Sequence, residues 1–111
     1  MKKVQYMVGL LLVMGCGLAQ AVSGNEYRNL SVTQKLAWTV GVADGIIATQ
    51  LFESGKQPPL AKCLGELERE QIRSIFEKAL EGQPDRWHFP AAFAFYDTFR
   101  KYCGARPDAA K

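Results

Sequence analysis

Three stretches of this chain carry apolar residues at the three-and-four spacing of a helix, and each is cut short by glycine or proline. In the first, Leu36, Val40, Ala43, Ile47 and Leu51 recur from Val32 onward, with Trp38, Val42 and Ile46 widening the apolar surface. Ser31 and Gln34 precede it at capping-box spacing, and Gly55 offers a stop after Ser54. The second stretch covers about Glu66 to Glu81, with Ile72, Ile75, Phe76, Ala79 and Leu80 on one face. Arg73 and Glu77 stand one turn apart on it, and Gly82 with Pro84 ends it. The third opens on Pro90, whose missing N–H is harmless at a first helical position, and closes at Gly104. Ala92, Phe95, Tyr96, Phe99 and Cys103 line one face of it. Val22 to Asn29 reads as a loosely held lead-in, Gly55 to Cys63 with Pro58 and Pro59 as a stiff loop, and Gln83 to Phe89 as a connector. The tail to Lys111 is expected to fray. The fold class is therefore all-α, a small helical bundle.

The first twenty-one residues read as an address. Lys2 and Lys3 give a charged start, Val4 to Leu18 is almost wholly apolar, and Ala19-Gln20-Ala21 supplies small residues for a signal peptidase. Cleavage after Ala21 leaves 22–111 as one domain, exported to the periplasm. A second use of the same stretch stays open: Val13-Met14-Gly15-Cys16 resembles a lipoprotein box, and acylation at Cys16 would tether the chain to a membrane. Fourteen basic residues face eleven acidic ones, and Lys2 and Lys3 leave with the signal. The remaining balance is close to neutral, which gives no ground for nucleic-acid binding.

Cys63 and Cys103 are then the two cysteines left, and in an oxidising compartment an even number is most simply a disulfide. Cys63 precedes the second helix and Cys103 ends the third, so the bridge would close the open mouth of an αα-hairpin. The expected helix lengths of ~24 and ~21 Å match well enough for start and end to meet. A metal or redox pair is the alternative, and the close Cys-x-x-Cys spacing for it is lacking.

Chemistry is thinly supplied. His88 has no partner at metal-ligand spacing; Asp85 is placed to orient it, and a structural histidine in an aromatic connector is the simpler reading. No enzyme, cofactor or metal site is expected. Asp44, alone among Gly41, Val42, Ala43 and Gly45, either bonds across to another helix or faces water. Of the aromatic run over 87–102, most falls at core spacing, while Trp87, Phe89 and Phe93 lie off the core face. Exposed aromatics beside a proline-framed segment suit a protein-binding hot spot, which singles out Arg86, Trp87, His88 and Phe89, and second the loop of Pro58 and Pro59. Trp87 has a competing use as a cap on its own core. Ala37, Gly41 and Gly45 stand four apart on the first helix, and glycines are costly there, so they suggest close helix packing or a homodimer contact.

The order of features resembles a known family. A secretion signal is followed by Val40-Gly41-Val42-Ala43-Asp44-Gly45, then Cys63, an amphipathic helix ending near Pro84, His88 with Pro90-Ala91-Ala92, and a closing Cys103. This is similar to the Tai/Rap class of periplasmic immunity proteins, over about Leu30 to Cys103. The pattern departs at Leu64-Gly65, where a proline-containing turn would be expected after the cysteine. The resemblance implies a small helical fold, commonly a homodimer, that binds a type VI secretion peptidoglycan amidase and blocks its active site. A small disulfide-linked periplasmic chaperone of the acid-stress type is the alternative with the same size and single bridge.

Overall fold

Ser31 begins the longest element as its sequence requires. Its hydroxyl accepts the Gln34 N–H at 3.2 Å, and the Gln34 side chain accepts the Ser31 N–H at 3.0 Å, so two orphan donors are satisfied reciprocally. The computed structural model describes residues 21–105. Residues 1–20, with Cys16 and all but the last residue of the expected signal segment, and the tail beyond Ala105 lie outside the described residues. Among the described residues five helices follow one another: α1 (Gly24–Arg28), α2 (Val32–Ser54), α3 (Pro59–Glu66), α4 (Arg69–Glu81) and α5 (Ala91–Gly104), with a 3-10 turn at Pro84–Arg86. Among the described residues there is no strand, only an isolated bridge between Ser23 and Pro90. The expected all-α bundle is what the chain forms.

α2 ends where expected, at Gly55 with φ 65°, a left-handed conformation that glycine adopts without a Cβ clash. Two connecting segments differ from expectation. Val22 to Asn29 is not loose: Ser23 caps α1 by accepting the Glu26 N–H at 3.1 Å, and Tyr27 is buried in the core. Nor do the two prolines make a plain loop to Cys63. Pro58 is extended, and Pro59 sits at the first position of α3, where its ring pre-sets helical φ. The amphipathic run Leu60, Ala61, Cys63 and Leu64 then carries the helix inward, with Ala61, Cys63 and Leu64 buried. α4 consequently starts at Arg69 rather than Glu66, after a break at extended Leu67.

The core is aromatic. Tyr27, Phe76, Phe95 and Phe99 are fully enclosed, and Trp38 packs against them from α2. Ring centres lie 4.9 Å apart for Tyr27 and Phe76, 5.3 Å for Phe76 and Phe95, and 4.6 Å for Phe95 and Phe99, at tilted or edge-on angles that suit the ring quadrupoles. The Tyr27 hydroxyl donates to Glu77 at 3.2 Å, and burial beside that carboxylate raises its pKa well above the ordinary tyrosine range. Arg73 holds Glu77 in turn at 3.1 Å, as their one-turn spacing allows. Thr39, the one buried polar residue among those described, donates its hydroxyl back to the Lys35 and Leu36 carbonyls.

The disulfide joins Cys63 to Cys103 with Cα atoms 5.9 Å apart, tying α3 to the last turn of α5. The pairing agrees with the sequence reading, although Cys63 sits inside a short helix of its own. A closed loop of this size stabilises by about 4 kcal/mol in the chain-entropy model, a large share of what so small a core supplies.

Candidate functional site

The site follows from the phase of α5. Its buried row is Ala91, Phe95, Phe99 and Cys103, a strict every-fourth pattern, so Ala92 and Tyr96 do not share that face as the sequence suggested. The register is pinned at the start, where the Ala91 N–H donates to the Val22 carbonyl at 2.7 Å. Ala92, Phe93 and Tyr96 are thereby turned outward, with Phe93 70% and Tyr96 44% exposed. Trp38 and Phe95 bring α2 and α5 together, their ring centres 6.0 Å apart. Beyond that contact the two helices leave an open cleft of about 560 Å3, with Val42 and Ile46 on one wall and Ala92, Phe93 and Tyr96 on the other. The cleft continues along α2 past Gly45, Thr49 and Gln50 to Glu53. Beside it, sharing Phe93, a smaller hollow holds Arg86, Phe89, Phe93 and Ala94.

The connector supplies that hollow, and the N-terminal segment fixes the connector. Gly24 donates its N–H to the Phe89 carbonyl at 3.0 Å and Asn25 to the Trp87 carbonyl at 2.7 Å. Trp87 is half-buried: its indole N–H donates to the Leu80 carbonyl at 2.7 Å, and the Arg28 guanidinium covers its ring at 3.4 Å. Phe89 is 51% exposed, and the exposed His88 ring packs on it with centres 4.4 Å apart. No hydrogen bond joins His88 to Asp85 among the described residues, so the orienting contact suggested by their spacing does not form.

Charge borders both hollows, with Asp97 and Arg100 lining the main cleft and Arg86 the smaller one. Asp97 forms ion pairs with Lys101 at 2.9 Å, Arg86 at 3.4 Å and Arg100 at 3.7 Å. The hydrogen bond from Lys101 and the surrounding cations hold the Asp97 carboxyl below the usual carboxylate range. Three cations share one anion there, which leaves the rim positive, whereas Glu53 makes the far end negative.

The other sequence-derived positions are placed differently. Ala37, Gly41 and Gly45 are exposed, and a Cβ at either glycine would meet nothing within 4 Å, so none of the described helices packs on that strip. Asp44 faces water. Pro58 and Pro59 stand outside the three hollows described above. Among the described residues, no group of three or more His, Cys, Asp or Glu side chains is arranged to hold a metal ion, and no helix is long and apolar enough to cross a membrane. Val42, Ile46, Tyr96 and Arg100 were not singled out as site residues by the sequence. The signal for Val42 and Ile46 was the breadth of apolar residues around α2, more than one face of a small core can use, whereas Tyr96 reads as core by spacing and Arg100 carries no such signal. Compared with known proteins, the chain matches no family model, no curated protein and no solved structure.

Proposed function

We propose that this chain is a periplasmic binding protein of the immunity type, which holds a type VI secretion peptidoglycan amidase and covers its active site without doing chemistry of its own. The observation that carries the reading is the aromatic face of Phe89, Phe93 and Tyr96, exposed around an apolar cleft on a framework stapled by a disulfide. Large aromatics left in water are unfavourable for a free monomer and favourable for a partner that buries them. A connector clipped by backbone hydrogen bonds loses little entropy on binding, which favours tight occlusion. The order of Gly41, Gly45, Cys63, Pro90 and Cys103 supports the same class through its resemblance to Tai/Rap proteins. A leader-like N-terminus and a bridged cysteine pair suit the periplasm.

The test is enzymatic. An amidase encoded beside this gene, assayed on purified peptidoglycan, should lose its activity as one equivalent of the protein is added. Undiminished hydrolysis in excess protein would overturn the reading. Suppression of aggregation of unfolded proteins at acid pH, without amidase inhibition, would point instead to the chaperone.

A further inference from the structure

The cleft between α2 and α5 has three properties that together describe what fills it. Its walls are largely apolar, set by Val42, Ile46, Phe93 and Tyr96, with Asp97 and Arg100 also lining it. Its α2 wall is kept low by Gly45, with Gly41 one turn before it outside the lining, and among the described residues nothing lies within 4 Å of where either side chain would start. Glycine inside a helix is destabilising, and neither of these two adopts a positive φ, so the backbone of this helix has no need of them. The low wall admits something wider than a side chain, such as the ~10 Å cylinder of another helix. The charges complete the description: Arg86, Arg100 and Lys101 surround the single carboxylate of Asp97 at one end, and Glu53 stands at the other.

We propose that this cleft receives an amphipathic helical segment of a partner protein, with its apolar face on Val42, Ile46, Phe93 and Tyr96 and its carboxylates at the Arg86–Arg100 end. The inference deepens the binding-protein reading and rests on it only in that the occupant is a protein. An acidic end is what the cationic rim selects: it would accept charge-assisted hydrogen bonds from the two guanidiniums, whereas a basic end there meets like charge. Gly45 lets the segment's backbone settle against α2, and the aromatics supply the area it buries.

Two synthetic 18-residue helical peptides test this, identical in their leucine and alanine face but carrying either glutamates or lysines at one end. Titrated into the 15N-labelled secreted protein, the glutamate peptide should shift the amides around Gly41, Gly45 and Phe93 and bind about tenfold or more tightly than the lysine peptide. The preference should disappear in Arg86→Ala/Arg100→Ala. Gly45→Leu should stay folded, because its side chain enters open space, and should lose the peptide. Equal affinity for both peptides, binding of neither, or a face already occupied by a second copy in sedimentation would overturn the proposal. Amidase inhibition separates the two readings: inhibition that survives Gly45→Leu removes the cleft and keeps the inhibitor, while peptide binding without inhibition of any amidase keeps the cleft and removes the inhibitor.

Discussion

The guanidinium of Arg28 lies 3.4 Å from the centre of the Trp87 ring, and the same side chain reaches Glu81 at 2.7 Å, so one residue of α1 clamps the connector to the end of α4. With its indole N–H committed to Leu80, Trp87 is held as a lid on the core it follows in sequence. Trp87→Ala should therefore cost stability first, about 2 to 3 kcal/mol, with a matching fall in the midpoint of urea unfolding. An unchanged midpoint with weakened partner binding would make Trp87 an anchor instead.

Two glycines give opposite expectations for one substitution. A Cβ at Gly24 would fall 2.9 Å from both the Cα and the carbonyl oxygen of Trp87, and backbone atoms cannot swing aside. Gly24→Ala should destabilise by about 1 to 3 kcal/mol. At Gly41 the space is open, so Gly41→Ala should stabilise by about 0.5 to 1 kcal/mol through helix propensity alone. Thermal melts of the two variants side by side check both signs.

The bridge between Cys63 and Cys103 ties the two ends of a long loop. Cys103→Ala, or full reduction of the native protein, should remove about 2 to 5 kcal/mol of stability. Mass spectrometry after alkylation without reductant should find neither cysteine modified.

Asp97 gives the acid response a definite sign. Its carboxyl is held low by the Lys101 hydrogen bond and by Arg86 and Arg100, so the folded state favours its ionised form. The stability this contributes is present above the ordinary carboxylate range near pH 4 and is lost as pH falls through the lowered value. Asp97→Asn should thus be less stable than the native protein at neutral pH, and the difference should close on acidification. A difference that is constant across that range would show that the ion cluster contributes nothing to folding.

Much of the fold was legible in local pattern. The Ser31–Gln34 cap, the Gly55 stop, the Arg73–Glu77 pair and the cysteine pairing all rest on spacings of a few residues or on simple parity. What was not legible depended on contacts between distant segments. Tyr27 is core because the chain around Ser23 pairs with the backbone of Trp87, Phe89 and Ala91, although Ser23 and Glu26 at capping spacing did mark a helix start. The same pairing sets the phase of α5 and turns Phe93 and Tyr96 out. Pro58-Pro59 carried two meanings, stop and start, and only the buried Ala61, Cys63 and Leu64 decide for the second. The connector was found by its aromatics, yet the most exposed aromatic lining the cleft is Phe93, at the start of α5.

Phe93 is accordingly where the account is most exposed to test. Its ring is 70% accessible and lines both the main cleft and the connector hollow, so its removal leaves no internal void. Titration of an inhibited amidase with native protein and with Phe93→Ala, alongside thermal melts of each, measures binding and folding separately. The account predicts a melting temperature unchanged within a degree or so and affinity weakened by about 2 kcal/mol, roughly thirtyfold. Full-strength inhibition by a well-folded Phe93→Ala protein would contradict it.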